Sequence, residues 1–186
     1  MQTNGTLRLF LGIALALCLA GTAHAQAKIE DFVGTYVGTA RVLGSDGSVE
    51  EERDVDITIA TTKDGFTVDW INVSLVDGRR DVPGVKRRAQ SLAFRDEGDG
   101  RFVVERRRSL FERRSEGDMF AGAPVSWARL DGNKLGVFTL VVLENGAYSL
   151  QVYERILTDQ GIDIEFVRLD EGVPSRTIEG HTIRVE

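Results

Sequence analysis

The chain has 186 residues, 42% of them hydrophobic, with 23 Lys/Arg against 29 Asp/Glu and a formal net charge of −6. That length and apolar content suit one domain with a real core, and a lone cysteine, Cys18, excludes an internal disulfide framework and thiolate zinc or iron–sulfur sites. An acidic balance argues against a nucleic-acid partner, and two histidines leave few ligands for a transition metal.

Arg8 is followed by an uncharged run from Leu9 to Ala20, then by Gly21, Thr22 and Ala23-His24-Ala25. This is the order of a secretory signal peptide: a basic start, an apolar stretch and a small-residue cleavage site. The run is shorter than the roughly 20 apolar residues a bilayer span needs. Leu17 before Cys18 fits a lipoprotein processing site poorly, so residues 1–25 read as a leader cut after Ala25. The expectation is a periplasmic or secreted protein. Its mature part, 26–186, forms a single domain with no cysteine, one histidine (His181) and no transmembrane segment.

After a possible single helical turn at Ile29 to Phe32, turn dipeptides punctuate the chain: Asp46-Gly47, Asp64-Gly65, Asp77-Gly78, Asp99-Gly100, Asp131-Gly132, Asn145-Gly146, Gln160-Gly161 and Glu171-Gly172. Glycine supplies the positive φ of tight hairpins, and Asp or Asn tolerates it. Between the turns, apolar and polar residues alternate, as in Val55, Ile57 and Ile59 against Asp54, Asp56 and Thr58. Alternation with period two marks half-buried strands. Ten strands follow, at 35–43, 49–61, 66–76, 85–95, 101–110, 123–130, 134–143, 147–157, 161–169 and 175–185. Tight hairpins join neighbours, so the expected fold is all-β: an up-and-down antiparallel β-barrel of about ten strands, with a β-sandwich as the alternative. Closure removes exposed edges and favours the barrel. Charged residues at alternate positions and sparse aromatics argue against an outer-membrane barrel.

Residues 29–38, Ile-Glu-Asp-Phe-Val-Gly-Thr-Tyr-Val-Gly, resemble the start of lipocalin-type (calycin) barrels, where a short turn closes the barrel bottom and a Gly-x-Trp motif opens the first strand. Here the motif is Gly34-Thr35-Tyr36, with Tyr in place of Trp. The Gly34-x-x-x-Gly38 spacing is similar to that of heme-binding nitrobindin relatives. A heme reading needs a histidine inside the barrel, and only His181 is available, so no cofactor is expected. The chain also resembles uncharacterised exported bacterial proteins.

In an up-and-down barrel the connections alternate between the two ends, which puts the two longest loops, 77–84 and 111–122, at one mouth. Long loops and barrel mouths are where ligand sites are found. Residues 79–114 hold 12 Lys/Arg against 6 Asp/Glu, so this mouth is basic and would attract anions. Arg79, Arg80, Arg113 and Arg114 would form its rim, and Lys86, Arg87 and Arg88 start the strand leaving it. Arg106 and Arg108 share a face with Phe102, Val104 and Leu110; if that face is inward, two guanidiniums enter the barrel and can fork onto a carboxylate or phosphate. The alternative is a solvated basic strand. Trp70, Tyr148, Leu150 and Phe166, with Trp127, are candidate cavity-lining residues, and Met119 and Phe120 a candidate plug or lid.

Catalytic signatures are absent: there is no Gly-x-Ser-x-Gly elbow, phosphate loop or His-Glu-x-x-His, and Asp54 and Asp56 read as a solvated pair. The function expected is therefore non-enzymatic, an exported lipocalin-like barrel binding a small hydrophobic or amphiphilic ligand, expected to be anionic. The alternative is an envelope interaction or scaffold module with a filled barrel; no protein partner is specified.

Overall fold

A computed structural model describes residues 27–105, 119 and 122–185. The leader, Arg106, Arg108, Arg113, Arg114 and Phe120 lie outside the described residues.

A single 3₁₀ turn, Ile29–Phe32, precedes ten strands: β1 Gly34–Leu43, β2 Val49–Thr61, β3 Gly65–Ser74, β4 Arg87–Asp96, β5 Arg101–Val104, β6 Val125–Asp131, β7 Lys134–Val142, β8 Tyr148–Leu157, β9 Gly161–Asp170 and β10 Val173–Arg184. Each pairs antiparallel with its chain neighbours, and β1 pairs with β10 to close the barrel. The expected barrel, rather than the sandwich, is the fold. Its turns follow the local chemistry: Gly47, Gly132, Gly146 and Gly172 all take positive φ.

Alternation places Val55, Ile57 and Ile59 of β2, and Phe66, Val68 and Trp70 of β3, inside. Gly38 permits close approach of β1 to β10, since a Cβ there would lie 2.0 Å from the His181 carbonyl oxygen. Phe66 stacks on Phe94 at 5.0 Å and meets Phe102 edge-on at 4.9 Å. Together with Phe32, Ile59, Leu135 and Ile162, all fully buried, they fill the end that carries the short connections.

The N-terminal turn seals that filled end. The Ala27 amide donates to the Gly132 carbonyl at 3.0 Å. The Tyr36 hydroxyl donates to the Phe32 carbonyl at 2.8 Å and accepts from Arg184 Nη2 at 2.7 Å. Arg184 also lies over the Tyr36 ring, 5.2 Å from its centroid. The aromatic of the Gly34-Thr35-Tyr36 motif thus ties the entry turn to the last strand. The longest connections, β3 to β4 and β5 to β6, both leave the opposite end.

Candidate functional site

Above the filled end the barrel is hollow. A cavity of about 630 Å³ opens toward the long connections, within the range of small-molecule sites. Its apolar wall includes Val55, Ile57, Ile164, Phe166 and Ile178. Six arginines, Arg53, Arg87, Arg88, Arg155, Arg168 and Arg176, line it, and among the described residues no Asp or Glu does.

Arg155 stands apart from the others. It lies on β8, opposite Leu135 of β7 and Ile164 of β9. Its side chain enters the interior with 2% of its surface exposed. The guanidinium carbon sits 5.5 Å from the centroid of Trp70 and 5.9 Å from that of Tyr153. Trp70 belongs to β3, five strands from β8 in either direction round the barrel. The pair therefore bridges the full width and floors the cavity. Tyr153 continues this aromatic wall to Phe166 at 4.4 Å.

The floor presents donors without acceptors. Arg155 Nε, Arg155 Nη1 and Trp70 Nε1 are buried and make no hydrogen bond. Burial pulls the Arg155 guanidinium down to about 10, below its ordinary range. Burial also pushes the Tyr153 phenol up, against the pull of Arg155, Arg168, Arg53 and Arg176. A neutral phenol beside an uncompensated cation adds a further donor. A buried charge without a counterion is costly, and an all-donor set suits an acceptor-rich anion such as carboxylate or phosphate.

The arginines nearer the mouth differ in their pairing. Arg53 forks onto Glu51 at 2.7 and 3.0 Å, which holds the Glu51 carboxyl below its ordinary value. Arg168 Nε is 3.0 Å from Ser149 Oγ and 3.4 Å from Asp170. Arg87, Arg88 and Arg176 have no ion-pair partner among the described residues.

The expected mouth end is the open one, and Arg87 and Arg88 do line it. Trp70 and Phe166 line the cavity. Trp127, Tyr148 and Leu150 do not. Trp127 is on the outer face, stacked on Phe138 at 5.3 Å, and Tyr148 is 41% exposed. Their strands carry apolar residues on both faces, and on β8 the inner face is the more polar one, Ser149, Gln151, Tyr153 and Arg155. Hydrophobicity therefore selected the wrong side. Of the rim residues, Arg79 is exposed and pairs with Asp81, and Arg80 pairs with Asp54 at 3.3 Å. Phe102 is buried and Val104 packs against the core, while Val103 is exposed. His181 stands on the outer face, hydrogen-bonded to Asp163 at 2.5 Å, so it offers no ligand to the interior. Arg155 was missed, although its place two residues from Tyr153 and four from Gln151, on one face of β8, was a readable signal.

The fold and its hollow, basic interior define a lipocalin-like β-barrel. A solved structure of a protein of unknown function of the DUF3598 family, from Nostoc punctiforme, is similar at TM-score 0.53 and 11% identity, over 86% of this chain. This chain spans 50% of that structure's length, so the likeness is one of fold. An S-type phycobiliprotein lyase, CpeS, from Guillardia theta aligns over 85% of this chain and 90% of its own, at 9% identity and TM-score 0.36. No protein-family model matches the chain, and no curated protein matches it by sequence.

Proposed function

We propose that this barrel is an exported binding protein for a small amphiphilic anion, without catalytic activity. The observation that carries the reading is Arg155, a buried guanidinium with two unbonded nitrogens on the floor of a 630 Å³ cavity. A ligand carboxylate or phosphate would supply the missing acceptor, and the apolar wall above would cover a hydrocarbon body. A filled scaffold barrel would have no use for such a void, because small barrels otherwise fill their interiors with side chains. Export rests on the leader pattern of residues 1–25.

Native mass spectrometry of protein taken from its own cells tests this, with the N-terminus read from the same spectrum. An adduct displaced by a fluorescent fatty acid, on a chain starting at Gln26, is the expected result. A clean mass combined with no uptake of the fluorescent fatty acid contradicts the binding reading, and an intact leader contradicts export.

A further inference from the structure

Resting on that reading, we propose that the ligand is elongated and anionic at both ends, one end held at the floor by Arg155 and the other at the mouth by Arg88, Arg168 and Arg176. The cations of the cavity fall into two tiers. Gln151 is four residues from Arg155 on the same face of β8 and is the register partner of Arg168. Arg168 in turn pairs with Arg176 of β10. Four residues of strand are about 13 Å, so the two tiers leave the backbone at clearly different depths of the barrel.

In the mouth tier Arg168 leans on Ser149 and Asp170, whereas Arg88 and Arg176 have no ion-pair partner among the described residues. Arg168 and Arg176 are cross-strand partners that both line the cavity, and like charges directly opposite are destabilising. Arg88 joins Arg176 in lining an adjoining recess of about 270 Å³ at the same end. Glu51 lines the same recess but is forked by Arg53, and Asp170 flanks Arg168, so neither makes an ion pair with Arg88 or Arg176. Between the tiers the wall is Tyr153, Phe166 and Ile178, with no charge. Donors at both ends of an apolar tube match a body with an anion at each terminus. A ligand with a single anion would leave either Arg155 or the pair Arg88 and Arg176 without an ion-pair partner among the described residues.

Calorimetric titration with two probes of equal length tests this: dodecanedioate and its monomethyl ester. The diacid should bind at least about tenfold tighter, the scale of one added charge-assisted contact. In the double variant Arg88→Gln with Arg176→Gln that difference should vanish. Equal binding of the two probes by the wild-type protein overturns the two-ended ligand and leaves the amphiphile reading standing. A diacid preference that survives the double variant overturns the assignment of the outer anion to these arginines. Binding of neither probe, together with no uptake of a fluorescent fatty acid, overturns both readings.

Discussion

Arg155 of β8 and Trp70 of β3 meet across the whole width of the barrel, the guanidinium 5.5 Å from the indole centroid. The contact divides the interior into a packed aromatic half below and an open half above. It also leaves a cation buried with no carboxylate beside it among the described residues, an arrangement that favours an incoming anion over the empty state.

The unliganded protein should therefore be strained at this point. Arg155→Met keeps an unbranched apolar stem and removes the guanidinium, and should raise unfolding stability by about 1–3 kcal/mol in urea titrations. The pH dependence has a definite sign. Because the folded guanidinium is pulled down to about 10, the folded state binds fewer protons than the unfolded one from about pH 10 up to the ordinary guanidinium range. Stability rises with pH wherever the unfolded state holds more protons. The advantage of the variant over wild type should be full below pH 10 and shrink as pH is raised through that window.

The seal at the filled end is a separate device. Tyr36→Phe removes the hydroxyl that satisfies the Phe32 carbonyl and receives Arg184, leaving polar groups unpaired around a buried ring. A loss of about 1–3 kcal/mol is expected, read as a lower urea midpoint with little change in anion affinity.

Gly38 is a steric requirement of closure. A methyl group there would sit 2.0 Å from the His181 carbonyl, so Gly38→Ala must push β1 from β10 and should cost more than about 2 kcal/mol. Gly47→Ala is the control: its φ is +81° but nothing lies within 4 Å, so the cost should be only about 1 kcal/mol. Thermal melts of the two variants should order them this way.

Most of the fold was legible because alternation and turn chemistry agree along the chain. Val55-Ile57-Ile59 set the face of β2, and Asp-Gly or Asn-Gly steps set the hairpins. The entry turn at Ile29 was readable as well, but of the Lys and Arg residues in the basic segment 79–114 only Arg87 and Arg88 line the cavity among the described residues. The interior of the cavity was harder to read. On β8 the aliphatic residues Leu150, Val152 and Ile156 lie outside, and Ser149, Gln151, Tyr153 and Arg155 lie inside, so a rule that buries the more apolar face inverts the strand. A site that holds a polar group must break the pattern that reveals a core.

In the proposed binding reading, Glu51 would compete with the anion for Arg53. Its carboxyl is held below its ordinary value of 4.5 chiefly by its hydrogen bonds to Arg53. That contribution to stability is complete above pH 4.5 and is lost as pH falls through the lowered folded value. Glu51→Gln should therefore flatten the acid limb of the stability profile. Freeing Arg53 should raise dodecanoate affinity by up to about fivefold, measured by calorimetry at pH 7.

The most direct test of Arg155 as the anion anchor is ligand-linked stability. Urea unfolding of wild type and Arg155→Met would be compared with and without saturating dodecanoate, since a ligand that binds only the folded state raises its stability. The expected result is a variant that is the more stable of the two without ligand but gains little from dodecanoate, while wild type gains clearly. Equal gains in both proteins, or no gain in wild type, would contradict the role given to Arg155.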